Sequence, residues 1–587
     1  MKKLSRVLIT DCGSTTTKAL LFERVNGELR HTFRGESATT VEAPIADVTV
    51  GAFNAFRELE ELSGYKLIND NGSLEVDKYL STSSAGGGLQ MVVLGMVKEM
   101  TAASAARAAL GAGALVLDVF THDDPRSESE IVRAIKQLKP DIILLAGGVD
   151  GGAKAPILES AEILIAASPR PRFGDTLKTP VIFAGNKDVA KEVTALLEER
   201  FAVTVLPNIR PTLEEEHLKP ARDGVHELFL SHVMSHSPGY DKLLKMTSLP
   251  IVPTPAAVGY MVLHAAKKFE ANILCVDIGG ATTDVFSCFG SKSFDSKKVS
   301  HFNRTVSANL GMSYSIGNVL LESGIENILR WLKEENLGEE INREGAIDHI
   351  RNKMIRPTTM PHTLYDLKLE QAVCREALRL SFNHHIALSG ELVGVKKARF
   401  LGDVFRQGGT TPPMSASSFD MVIGSGGVLS HAPNRLDSAL MLLEGMNLQG
   451  VFELVVDSIF MLPHLGALLE LDTEGAHNIL EKDCLIRIAL GVVPINREAN
   501  IKELGYGVKK SRAHKQSKSK ICTIAINEDQ KIICYSGDLQ MIPLTPGITY
   551  SVTITPEDSE VDFGHGKGVE VRIERLNVSC GIIFDGR

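Results

Sequence analysis

Two stretches of the chain place an aspartate, a glycine and a pair of hydroxyl residues at the same spacing. Val7 to Phe22 carries Asp11, Gly13, Thr16 and Thr17, and Ile273 to Ser287 carries Asp277, Gly279, Thr282 and Thr283 in register with them. In both, an apolar run ends in the aspartate, a glycine turn follows, and a strand-like run resumes. Polyphosphate chemistry needs many N–H donors close together, and glycine lets backbone approach oxygen without a clash at Cβ. Gly13 and Gly279-Gly280 supply that approach, while Ser14, Thr15, Thr282 and Thr283 add hydroxyl donors. Asp11 and Asp277 are placed to hold a magnesium ion through its water shell, since this cation keeps its waters and takes few carboxylates. One such turn could be an ordinary hairpin; two in register read as a clamp on the phosphates of a nucleotide. Neither fits the helix-opening pattern G-x-x-x-x-G-K-[ST]. Lys18 stands where the second turn has Asp284, so the two hairpins are expected to differ in chemistry. A third glycine stretch, Met421 to Leu429, carries Gly424, Gly426 and Gly427 after an apolar strand and would let an adenine or ribose lie flat against backbone.

The chain of 587 residues exceeds what one hydrophobic core serves, so several domains are expected. A formal charge of -9 gives no reason to expect nucleic acid. The eight cysteines occur singly, without CxxC or finger spacing, which argues for a reducing compartment and no structural zinc. Asp11 and Gly13 would spoil a signal-peptide core, and Lys98, Glu99 and Arg107 interrupt the most apolar helical stretch, Met91 to Leu117. The expectation is a cytoplasmic protein without a membrane span. Histidines at 217, 226, 232 and 236 and the pair His384-His385 lack the spacing of a zinc site and read as ordinary helical positions.

The elements that must position the turns follow from periodicity. Strands flank the first turn, and Asn26-Gly27 marks a reversal. Gly86-Gly87-Gly88 opens an Ala-rich segment of helical spacing. From about 110 to 215, short apolar runs alternate with amphipathic helices, the pattern of a parallel α/β unit inserted in the first lobe. Glycines at Gly147-Gly148, Gly151-Gly152 and Gly185 read as turn chemistry, with a ligand site at the strand ends as the sharper alternative. Small residues in Pro255-Ala256-Ala257 and Gly466-Ala467 would let two helices cross closely between lobes. Beyond 499, strand-like runs punctuated by Pro-Gly and Gly turns predict a small separate β domain. The basic stretch Lys509 to Lys520 reads as a solvated loop.

Taken in order, the five pieces resemble the actin, sugar-kinase and heat-shock-chaperone ATPase superfamily: phosphate turn, connecting helix, phosphate turn, adenosine motif, connecting helix. Leu145 to Gly152, Asp277 to Asp284 and Asn309 to Met312 further resemble the accessory proteins of adenosylcobalamin-dependent glutamate mutase and its aminomutase relatives, over roughly residues 1 to 490. The resemblance implies an α/β fold with two ribonuclease H-like lobes, 1–272 and 273–498, followed by the β region 499–587. It implies ATP and Mg2+ as ligands and a reactivating chaperone that acts on a mutase or aminomutase. Asp11, Asp277, Thr282, Thr283 and Asp284 would carry catalysis; Gly13, Ser14, Thr15, Gly279, Gly280 and Gly311 would touch phosphates, and Gly424, Gly426 and Gly427 adenosine. A small-molecule kinase or a non-hydrolysing scaffold on the same fold stands as the alternative, and a homo-oligomer or a small accessory subunit is compatible with either.

Overall fold

The computed structural model describes residues 4–41, 44–69, 72–84, 89–112, 114–170, 178–213, 215–229, 238–289, 301–307, 309–334, 342–389, 419–448 and 450–493, and beyond them the strands of the C-terminal region. The first lobe is built on a five-stranded sheet. Strands β1 (Arg6–Cys12), β2 (Thr16–Val25) and β3 (Glu28–Ala38) form an antiparallel meander, and β4 (Lys78–Ser83) lies parallel to β1. The chain then leaves the sheet and returns at a short strand beside β4.

The excursion is a parallel sheet of β5 (Leu89–Gly95), β6 (Ala114–Thr121), β7 (Ile142–Leu145), β8 (Pro180–Phe183) and β9 (Ala202–Val205), ordered β6-β5-β7-β8-β9 with one buried cluster on each face. Its first strand, Leu89–Gly95, lies between β6 and β7, so the inserted unit opens well before residue 110, and the helix expected there is confined to Lys98–Gly111, a π-helical turn over Lys98–Ala102 running into an α-helix over Ala103–Gly111. A buried run such as Met91-Val92-Val93-Leu94 has no period that separates strand from helix. At the strand ends, a Cβ on Gly147 would meet Met96 Cγ at 2.5 Å and one on Gly185 would meet the Gly147 carbonyl at 2.5 Å. These glycines let strand ends pack against one another, in agreement with turn chemistry. The Gly86-Gly87-Gly88 run lies outside the described residues.

The return strand β10 (Val252–Pro253) completes the order β10-β4-β1-β2-β3 and runs into the first connecting helix, Thr254–Phe269. Pro255 suits its first turn, where the missing N–H is not needed. The second lobe repeats the meander in β11 (Ile273–Ile278), β12 (Thr283–Phe289) and β13 (His301–Ser307), and again adds parallel strands, β14 (Met421–Ser425) and β15 (Gly450–Asp457), on the far side of the first. The two lobes therefore share the ribonuclease H-like strand pattern. A second connecting helix, Leu462–Leu468, packs on the first where Gly466 faces the Ala257 carbonyl, a spot no Cβ could occupy. Both helices belong to one buried cluster that also takes side chains from β1, β2 and β11, so the lobes share a core at the hinge.

After β16 (Leu485–Val493), antiparallel to β15, the C-terminal region divides. Strands β17 (Ala499–Tyr506), β18 (Ile521–Ala525), β21 (Ile548–Ile554) and β22 (Ile582–Asp585) form a four-stranded sheet ordered β17-β21-β18-β22. Strands β19 (Lys531–Ser536) and β20 (Asp538–Ile542) instead join the second lobe: β19 lies parallel to β16, and the sheet there reaches eight strands. The region is thus not wholly separate from the lobe. Lys509 to Lys520 falls outside the described residues. Among those described, no helix is long and apolar enough to cross a membrane.

Candidate active site

The two turns are the same object built twice. Gly13 N–H donates to Thr16 O at 3.1 Å, and Gly279 N–H to Thr282 O at 2.8 Å. Asp11 pairs in register with Lys18 across the first hairpin, and Asp277 with Asp284 across the second. Both turns open into one cavity of about 770 Å³, lined by Asp11, Gly13, Ser14 and Thr15 from one lobe and by Asp277, Gly279, Gly280, Thr282 and Asp284 from the other. Gly426 and Gly427 line it too, and Gly426 has φ 101°, a conformation that favours glycine, where it crosses against Ile278.

Charge at the cavity floor is unbalanced. Asp11 Oδ1 accepts from Thr82 Oγ1 at 2.8 Å and from Thr254 Oγ1 at 2.5 Å; burial raises its pKa, and the two hydroxyls and Lys18 oppose the rise. Asp277 Oδ1 is buried with no hydrogen-bond partner among the described residues. Burial, followed by the charge of Asp284, holds its pKa well above the ordinary carboxylate range, with Lys18 opposing. Lys18 is itself pulled down by burial, against the charges of Glu36, Asp11 and Asp277, and its Nζ lies 4.2 Å from the ring centroid of Phe460. Phe460 sits at φ 65°, an unusual backbone for a bulky residue.

Asp11 and Asp277 thus outweigh Lys18, and an orphaned carboxylate oxygen faces the shortfall. A magnesium ion held through water fits that donor set, because it needs few protein carboxylates. Among the described residues no group of three or more histidines, cysteines or acids could hold a metal directly.

The remaining expected residues divide. Asp284 lines the cavity, but Arg304 on β13 claims it, with Nη2 at 2.7 Å and Nε at 3.0 Å; burial raises its pKa and Arg304 opposes this. Thr283 is fully buried and donates from Oγ1 to the Leu310 carbonyl, away from the cavity lining. Gly311 packs on the second turn, where a Cβ would meet Ala281 C at 2.5 Å. Its neighbours Met312 and Ser313 reach the cavity and donate backbone N–H groups to Gly279 O and Gly280 O, both at 2.9 Å. Gly424 lies inside β14 beneath Leu442 and Leu429 and does not line the cavity. Of the histidines, His385 is buried between Thr305 Oγ1 and Ser287 Oγ, each at 2.8 Å.

Sequence reasoning missed Lys18 as a site residue, though its place opposite Asp11 was visible. It also missed Thr254, Phe460 and the wall made by Lys353, Glu370 and Gln371, which come from distant helices and carry no local motif.

Twin phosphate turns on twin ribonuclease H-like lobes, closed by crossing helices, define an actin-like nucleotide-binding fold of the kind shared by ATPases and sugar kinases. A family model described as "MutL protein" matches residues 7–484. The chain belongs to that family. It is 31% identical over 441 residues to "Protein MutL" of Clostridium tetanomorphum, which covers 73% of this chain and 87% of the relative. Among solved structures, a nucleotide-free acetone carboxylase aligns over 95% of this chain and 88% of its own at 11% identity and a TM-score of 0.34. The activator of 2-hydroxyisocaproyl-CoA dehydratase from Clostridium difficile, with bound ADPNP, aligns over 82% and 98% at 9% identity and a TM-score of 0.27. Superpositions at these scores add nothing to the topology above.

Proposed function

We propose that the chain is an ATP-dependent reactivating chaperone for an adenosylcobalamin-dependent mutase or aminomutase. The observation that carries the nucleotide half of this reading is the single cavity lined by both turns, with the buried Asp277 Oδ1 left unpartnered at its floor. Backbone N–H groups of the two turns and the hydroxyls of Ser14, Thr15 and Thr282 would cradle the β- and γ-phosphates from opposite lobes. Bound magnesium would neutralise phosphate charge, held through water by Asp11 and Asp277. Lys18 would add positive charge beside the γ-phosphate, and Asp277 would orient the attacking water. Asp284, tied to Arg304, would act by holding the strand pair rather than by touching the reacting atoms.

The mutase half rests on family membership and on the motif resemblance. A radical mutase that loses its adenosyl group keeps an inactive cobalamin, and its release requires that ATP and ADP states of the chaperone bind the mutase differently. The Thr254–Asp11 hydrogen bond gives a physical route, since Thr254 opens the first connecting helix. Lobe closure on ATP would pull on that helix.

The test is incubation of oxygen-inactivated glutamate mutase, and of aminomutases, with the chain, Mg2+, fresh adenosylcobalamin and either ATP or a non-hydrolysable analogue. Restored turnover with ATP alone is expected. ATP loss that ignores every mutase and yields a phosphorylated metabolite would sink the reading in favour of a kinase.

A further inference from the structure

We propose that Gln371 selects adenine over 6-oxopurine nucleotides, with its side-chain oxygen accepting from the 6-amino group of the base. This rests on the reading of the cavity as a nucleotide site. The phosphate turns fix one end of the cavity, and Gly426-Gly427 forms a wall without side chains. The start of the helix Leu364–Ser389 forms another part of the lining, where Leu364, Leu367 and Gln371 all border the cavity. Positions separated by three and four lie on one helical stripe, so two leucines and one amide are presented together. Leucines supply contact area for any purine; the amide is the group that can tell one from another.

The amide's orientation is settled by its neighbour. Gln371 Nε2 donates to Asp437 Oδ2 at 2.9 Å, and an ionised carboxylate can only accept. Turning the amide over would set two acceptors against each other. Oε1 is therefore fixed as the outstanding group, and it is buried with no hydrogen-bond partner among the described residues, in a side chain only 1% exposed. A buried acceptor left unmatched is costly, and a ligand donor removes that cost. The neighbouring Glu370 does not compete for the base, because its carboxylate is paired with Lys353. Adenine offers an amino donor at position 6. Hypoxanthine and guanine offer a carbonyl there, which would meet Oε1 acceptor to acceptor.

Binding to the full-length chain is measured by calorimetry with ATP, ITP and purine riboside triphosphate, which lacks any 6-substituent. The wild type is expected to hold ATP about tenfold or more tighter than either, the worth of one well-placed hydrogen bond at a site built for it. Gln371→Met removes the acceptor and should bring the three ligands together by weakening ATP alone. Asp437→Asn keeps Gln371 but supplies a donor that lets the amide turn over, so the ATP preference should shrink or pass to ITP. A merely structural role would move all three ligands equally. Equal binding of ATP and ITP by the wild type, or the wild-type preference persisting in either folded variant, overturns the proposal while leaving the nucleotide site standing. Failure of the wild type to bind any of the three overturns the nucleotide reading itself.

Discussion

Asp277 and Asp284 are carboxylates that face each other directly across the second hairpin, and the fold treats them oppositely. Asp284 is matched by Arg304 within a pair that is nearly inaccessible to water. Removing one partner of such a pair leaves an uncompensated buried charge, so Arg304→Met should cost about 3–5 kcal/mol in urea unfolding. Arg304→Met combined with Asp284→Leu should recover most of that loss, because replacing both charges by apolar groups is far less costly. Asp277 has no such match, and its burial is a standing cost whenever it is ionised. Its pKa is raised from the ordinary 3.8, so the folded protein binds its proton more tightly than the unfolded chain does. Its contribution is then fully present below the ordinary carboxylate range and is lost as pH rises through the raised value. Melting curves without nucleotide should therefore show stability falling with rising pH over that window, and Asp277→Asn should flatten the dependence. The same substitution should lower Mg2+-dependent ATP turnover roughly 10- to 100-fold, the usual toll of losing a group that acts on a metal through its shell. A variant both less stable and fully active would contradict this account of Asp277.

At the scale of elements, the decisive contact is between the two connecting helices. Gly466 lies against the Ala257 carbonyl with no room for a methyl group. Gly466→Ala must push the helices apart, at a cost of about 1–3 kcal/mol for overpacking. The shared core places this strain at the hinge, so ATP turnover should fall along with the urea midpoint, whereas a substitution of equal cost in the inserted sheet should lower the midpoint alone. The crossing was legible in the sequence, since Pro255-Ala256-Ala257 and Gly466-Ala467 have little use except close packing. The turns were legible for a similar reason: Asp, Gly and Thr at repeated spacing carry their chemistry in the backbone, and the matching hydrogen bonds at Gly13 and Gly279 show it. What escaped were features that depend on partners far away in the chain. Asp284 could not be seen as spoken for until β13 brought Arg304 beside it. Gln371 reads as one polar position on a long helix until Asp437, from another helix, turns its amide. Leu89–Gly95 reads as the start of a helix until the strands on both sides enclose it.

At the scale of the whole molecule, the twin lobes differ in what they carry. The first lobe holds the inserted parallel sheet between β4 and β10, and the second extends its own sheet through β16 to β19 and β20. The helix Ala103–Gly111 of the insertion also touches β13, the strand that supplies Arg304, so the insertion reaches across to the second lobe. The C-terminal region then has a structural duty distinct from any role in partner recognition. With β19 in place, β16 is an interior strand, bonded antiparallel to β15 on one side and parallel to β19 on the other. A chain ended after residue 497 keeps β16 and loses every strand beyond it. Its row of N–H and C=O groups would then be open to any other chain, the condition that favours edge-to-edge association. The second-lobe core should survive, because Phe452, Leu454 and Ile488 stay within its buried cluster. The expected product is thus folded, with helical circular dichroism retained, but self-associating in a concentration-dependent way by light scattering. A detachable domain predicts the opposite, a truncated chain as monodisperse as the full-length protein. That result would assign β19 and β20 to the C-terminal unit alone and return β16 to the edge of the lobe.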